Sequence, residues 1–191
     1  MKSNIIRLPS EPEFDDLGDY PWLGEIETPL RDDAFEIEDQ EKIDRIRFHF
    51  AEIMTVLGLD LNDESLRDTP NRVAKMYVKE VFSGLDPDNF PSISLFKNNY
   101  KYNQMLLERN ITFYSYCEHH FVPIIGKAHV AYVPEKYVIG LSKLNRIVQY
   151  FSRRPQVQER LTEQIAESLK KHLQTESVAV VIEADHLCVS S

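Results

Sequence analysis

Cysteine is scarce in this chain: two of 191 residues, Cys117 and Cys188, far apart. A pair so placed is no disulfide framework of the secreted kind. Long apolar runs are missing too. No stretch approaches the 18 or so residues a membrane-spanning helix needs, and "MKSNIIRLPSEPEFDD" has a basic start without the apolar centre of a signal peptide. The cytoplasm is therefore the expected compartment, with no membrane partner. Nor is there any excess of positive charge. The net charge of -9 argues against nonspecific binding to nucleic acid or anionic lipid. Internal repeats and low-complexity tracts are absent as well.

What is present is ordinary in bulk and uneven in detail. Hydrophobic content of 42% and charged content of 28% suit a soluble globular protein, and the length suits one domain plus an appendage. Residues 1–40 hold 12 acidic and 3 basic residues, whereas 41–191 hold 19 of each. The acidity thus belongs to an arm. With Pro9, Pro12, Pro21 and Pro29 and no sustained periodicity, 1–40 reads as extended or flexible.

From Glu41 the pattern is helical: Ile43, Ile46, Phe50, Ile53, Met54 and Leu57 follow three- and four-residue steps, and Gly58 supplies the stop. "DTPNRVAKMYVKEVFSGL" announces a second helix, capped by Asp68 or Thr69, with Pro70 in its first turn and Gly84 at its end. These two make a helical hairpin over 41–86. "DPDNFPSISLFKNNYKYN" reads as a loop. Strands are expected over 105–115, in "PIIGKAHVAYVP" and, briefly, in "EKYVIGL". Ser142 is expected to cap "SKLNRIVQYFSRR", and Pro155 to open a helix in which Val157, Leu161, Ile165, Leu169 and Leu173 recur every four residues. A β-rich run, "SVAVVIEADHLCVSS", closes the chain. Residues 105–191 thus form an α+β unit.

Chemistry concentrates in two short stretches. "YCEHHF" packs Cys117, Glu118, His119 and His120 together, and "DHLCV" holds the only other cysteine. In a turn, Cys117 and His120 can converge on one ion. On a strand, His186 and Cys188 would share a face. Cys117, His120 and Cys188 make a soft two-sulfur, one-nitrogen set suited to zinc, with a fourth position open for water. His119 and His186 are left beside it as candidate proton carriers. Three alternatives stay open on spacing alone: two unrelated buried cysteines, a Cys117–Cys188 disulfide, and a structural zinc with His186 as fourth ligand.

Longer stretches carry a resemblance. "YCEHHFVPIIGKAHVAYVP", "VIGLSKLNRIVQYFSRRPQVQERLTEQIA", "VAVVIEADHLC" and "DTPNRVAKMY" closely resemble GTP cyclohydrolase I, from about residue 40 to the last residue. The acidic arm lies outside the likeness. The resemblance implies the tunnelling fold, an antiparallel sheet with a helix pair on one face preceded by the helical hairpin. It also implies a homodecamer of two face-to-face pentamers, with active sites between subunits. The implied reaction opens the imidazole ring of GTP. Water attacks C8, formate leaves, and the ribose rearranges and closes onto the base to give 7,8-dihydroneopterin triphosphate, the first step of folate and pterin synthesis.

Residue by residue, the resemblance implies zinc on Cys117, His120 and Cys188, with His119 and His186 as the acid–base pair for the purine ring and the ribose oxygen. Glu159 matches the residue that accepts hydrogen bonds from guanine N1 and the amino group, and Gln158 matches another base contact. Ser142, Lys143 and Arg146, at a helix start suited to anions, match triphosphate contacts, as do Arg72 and Lys75. Two other enzymes of the fold fit less well: a pterin synthase has a histidine-only zinc site, and a deazaguanine nitrile reductase has a nucleophilic cysteine without the CEHH run. Family members continue past the last ligand with an Arg-Gly pair and another strand, while this sequence stops at Ser191. As written, it is expected to lack one phosphate-binding cation and the closing strand, and a catalytically silent, zinc-stapled assembly module is the alternative function.

Overall fold

The structure, a computed structural model, describes residues 27–190. Most of the expected arm, residues 1–26, lies outside the described residues.

The first helix, α1 (Asp39–Val56), begins with Asp39 and Glu41 in its first turn, where carboxylates face the positive end of the helix dipole. Gly58 ends it as expected. Its φ of +81° is one that residues with a Cβ rarely adopt, and Leu59 N–H returns to Met54 O at 3.0 Å. Only part of the apolar stripe is covered: Ile43 and Met54 are buried, whereas Phe48, Ile53, Val56 and Leu57 are exposed. The second helix, α2 (Thr69–Met76), packs against α1 and carries Pro70 in its first turn. Asp68 precedes it without capping its backbone. The Asp68 carboxylate instead accepts from Asn71 Nδ2 and Arg72 Nε, at 3.2 and 3.1 Å.

Gly84 does not end this helix. The α-helical geometry stops at Met76 and widens into a π turn over Tyr77–Val81, and Gly84 lies in a 3₁₀ turn over Ser83–Leu85. Its role is close approach. Gly84 N–H donates to Arg153 O at 2.9 Å, and a Cβ there would sit 2.0 Å from the backbone oxygen of Tyr150. Gly84→Ala should therefore push the hairpin off the domain, costing about 1–3 kcal/mol or more by overpacking. A melting temperature lowered by several degrees is the expected readout. An unchanged value would mean the contact is slack.

The segment read as a loop contains a strand. Leu95–Lys97 (β1) pairs antiparallel with Tyr137–Ile139 (β4), Leu95 opposite Ile139. Three residues are too few to show a period in sequence, and pairing with β4 defines them. The main sheet has the order β5-β2-β3-β6, with β2 at Leu106–Cys117, β3 at Pro123–Tyr132, β5 at Pro155–Gln156 and β6 at Val178–His186. β2, β3 and β6 pair antiparallel, but β5 runs parallel to β2, with Cys117 opposite Gln156. Pro155 thus belongs to a strand and opens no helix. The cause is Gln156, whose buried side-chain amide donates to Phe151 O and Gln164 Oε1 at 2.9 and 2.8 Å and so holds the chain extended.

Two helices cover one sheet face. The third helix, α3 (Leu141–Ser152), packs on β2, the fourth, α4 (Gln158–Leu173), on β6, and the two touch each other. Gly140, not Ser142, stands at the cap position of α3, and Ser142 lies one residue inside the helix. Along β2, Ile111, Phe113, Ser115 and Cys117 point into the core while Thr112 and Tyr114 face out. Leu161, Ile165, Leu169 and Leu173 answer from α4 at the expected four-residue spacing, all buried. Each such side chain contributes about 1.5–3 kcal/mol of burial. The architecture is α+β. Among the described residues no helix is long and apolar enough to cross a membrane.

Candidate active site

β2 ends at Cys117 and β3 begins at Pro123, so Glu118, His119, His120 and Phe121 lie in the turn between two central strands. Phe121 N–H returns to Cys117 O, and Cys117 N–H to Val122 O, both at 2.9 Å. Phe121 has φ of +53°, an uncommon conformation for an aromatic residue. Packing holds it there: its ring lies 5.1 Å from that of Phe82 and 6.3 Å from that of Tyr77. The π turn that replaces the end of α2 thereby props up the loop.

Cys117 is buried, and His119 and His120 are exposed. The Cys117 Sγ lies 3.7 Å from His119 Nδ1 and 3.8 Å from His120 Nδ1. Cys188 decides between them: donor atoms of Cys117, His120 and Cys188 all fall within 4.8 Å of one another, and His119 is outside that group. Both cysteines are free thiols. Burial, then the neighbouring Cys117, push the Cys188 thiol up from its ordinary value, so capturing a metal there would release protons. Two sulfurs and one imidazole are donors that zinc accepts readily.

Cys188 reaches this position differently from the expectation. The strand stops at His186, and Leu187–Ser190 form a helical turn (α5), closed by Ser190 Oγ donating to His186 O at 2.9 Å. His186 and Cys188 therefore do not share a strand face. The turn carries Cys188 to Cys117. His186 is not in the Cys–His–Cys group, and its Nε2 meets Gln158 Oε1 at 2.8 Å.

Sequence reasoning missed the clamp that joins the loop to α4. Glu118 forms a two-pronged ion pair with Arg160, one prong at 3.3 Å and the other shorter, and Glu118 N–H donates to Gln156 O at 3.0 Å. Arg160 is 12% exposed and Glu118 24%, so this pair is better shielded than the surface pairs of α1. It sets the loop against the first turn of α4, which carries Gln158 and Glu159. A carboxylate inside a metal run is the only sequence signal, and nothing in the sequence names its partner. Glu159 is exposed and has no hydrogen-bond or ion-pair partner among the described residues.

The cations belong to other elements. Ser142 and Lys143 lie in the first turn of α3, and Arg146 one turn on, lining a cavity with Lys79, Arg153 and Asp39. Lys79 and Arg153 were not singled out in the sequence. Arg72 pairs with Asp68 at 3.1 Å, and Lys75 is exposed on α2. No hydrogen bond or ion pair among the described residues joins any of these to the metal loop. Within one chain Cys117, His120 and Cys188 converge with His119 beside Cys117, His186 is hydrogen-bonded to Gln158, and Glu159 follows Gln158 in the first turn of α4.

Comparison with known proteins gives this geometry a context. The profile of the family described as GTP cyclohydrolase I matches residues 46–191. A protein named GTP cyclohydrolase 1 from Flavobacterium johnsoniae is 57% identical over 182 residues, covering 95% of this chain and 82% of the relative. Proteins of the same name from Salmonella gallinarum and Serratia proteamaculans are 55% and 56% identical over 166 residues, covering 87% of this chain and 75% and 74% of theirs.

Proposed function

The chain belongs to the GTP cyclohydrolase I family and is a GTP cyclohydrolase, and on that premise we propose a zinc-dependent reaction in which the guanine imidazole ring of GTP opens at C8. Formate leaves, and 7,8-dihydroneopterin triphosphate is the product, the first step of folate and pterin biosynthesis. The observation that carries this reading is the convergence of Cys117, His120 and Cys188 on one point, with His119 beside Cys117.

Cys117, His120 and Cys188 would hold the metal. Bound there, zinc supplies Lewis acidity and makes water a usable nucleophile near neutral pH. The rest falls to side chains. Glu159 accepts the two adjacent donors of the guanine edge, N1–H and the 2-amino group, and Gln158 adds a further base contact. His119 and His186 exchange protons with the purine ring and the ribose oxygen. Ser142, Lys143, Arg146, Arg72 and Lys75 hold the triphosphate.

No hydrogen bond or ion pair among the described residues joins those cations to the metal loop within one chain, and a site shared between subunits would bring them to it. A homodecamer of two pentamers, built from the tunnelling fold, supplies such a site. In this reading 1–40 is an acidic arm, 41–86 the helical hairpin and 105–191 the catalytic unit, working in the cytoplasm.

The test is Glu159→Gln. This keeps the shape but presents a donor to guanine's amino group. A buried unpaired donor costs roughly 1–3 kcal/mol, so GTP affinity should fall by about tenfold or more with metal content unchanged. Unaltered affinity would remove Glu159 from the base pocket.

A further inference from the structure

His186 is the last residue of β6, and its Nε2 lies 2.8 Å from Gln158 Oε1. The Gln158 amide is not free to turn over, because its Nε2 lies 3.1 Å from the backbone oxygen of Ile182. A carbonyl oxygen accepts and never donates. Turning the amide would set two acceptor oxygens face to face. The Gln158 nitrogen must therefore be the atom beside Ile182, and its oxygen the atom beside His186. An amide oxygen also only accepts, so the ring nitrogen facing it carries hydrogen.

From this sequence of donors and acceptors we propose that Gln158 is a positioning residue that locks His186 as the Nε2–H tautomer. Nδ1 is then the ring atom through which His186 takes or gives a proton. This second clause rests on the reading of His186 as a proton carrier; the tautomer does not.

The surroundings make the lock firm. Ile182 stands four residues before His186 on the same strand, and the Gln158 side chain spans from the backbone oxygen of the one to the imidazole of the other. Gln158 opens α4, and Arg160 two residues on is tied to Glu118. The amide is thus held by β6 at two points, and the Arg160–Glu118 pair fixes the turn of α4 that carries it. It keeps one N–H and one lone pair unspent, enough for a base contact as well.

A neutral imidazole without this partner samples both tautomers, and only one presents a lone pair at Nδ1. Hydrogen bonds that fix the tautomer of a metal-ligating histidine are typically worth about 10- to 100-fold in activity, and a loss of the same order is expected for His186. In Gln158→Met, which keeps the length but cannot accept, kcat should fall by about that factor, beyond whatever change in KM follows from the lost base contact.

The direct experiment is solid-state NMR on the full, zinc-loaded protein with ¹⁵N-labelled histidine, the His186 signals being assigned by their loss in His186→Asn. The expected spectrum has hydrogen on Nε2 and a bare Nδ1 in the parent protein, and mixed or reversed tautomers in Gln158→Met. A parent protein with hydrogen on Nδ1 and none on Nε2 overturns the proposal outright, even if the variant fails to fold. So does a folded Gln158→Met with both tautomer and kcat unchanged, since a merely structural glutamine would move only the melting temperature. If His186→Asn releases formate at the parental rate while the tautomer is as stated, the proton-carrier reading fails and the lock stands.

Discussion

Cys188→Ser should leave a protein that binds little metal and releases formate from GTP at least about a thousandfold more slowly. The hydroxyl of serine is far more reluctant than a thiol to give up its proton, so the soft two-sulfur, one-nitrogen set becomes a cysteine and a histidine three residues apart. Metal assistance of this kind is worth several kcal/mol in the transition state, which is three or more powers of ten in rate. The fold should survive. Cys188 sits half-buried on the four-residue turn α5 at the sheet's end, away from the centre where Phe113, Ile147 and Ile165 are fully enclosed. Metal-free parent and variant should therefore melt within a few degrees of each other. A variant retaining metal and rate would remove Cys188 from the site.

His186→Asn should separate chemistry from binding. The asparagine cannot shuttle a proton, and positioned acid–base groups contribute roughly 10²–10⁴-fold. The loss should appear in kcat, with GTP binding reduced by only a few fold, because the base contact proposed for Glu159 and the cations proposed for the triphosphate are untouched. Metal content should stay near that of the parent, since His186 stands outside the Cys117–His120–Cys188 group. A large loss of zinc in this variant would instead make His186 a ligand, returning the site to a closed, structural type.

The two stretches that meet in the Cys117–His120–Cys188 group were legible because their residue types are rare and crowded. Two cysteines, each with histidine near by, can be matched without knowing the fold. The amphipathic period of α4 and the long strands β2 and β3 were legible for a different reason, being long enough to show a repeat. What escaped is set by partners distant in sequence. β1 and β5, three and two residues long, exist only through pairing with β4 and β2. The turn that carries Cys188 back to Cys117 looks in sequence like a continued strand, since "VAVVIEADHLCV" gives no stop before His186. Gly84 reads as a helix terminator, and its real constraint is the Tyr150 backbone pressed against it. Glu118 and Arg160 lie 42 residues apart, and Gln158 and His186 28 apart. Neither pairing is visible before the loop and the end of β6 are folded against α4.

The most direct measurement follows one atom. GTP labelled with ¹³C at C8 is incubated with the zinc-loaded protein, and the label is traced by NMR alongside the phosphates. The label should leave as formate, one for each GTP consumed, while all three phosphates remain on the fluorescent pterin obtained after oxidation. Label retained in an intact purine, or phosphate released in its place, by a protein that holds zinc and assembles normally would contradict the account at its centre.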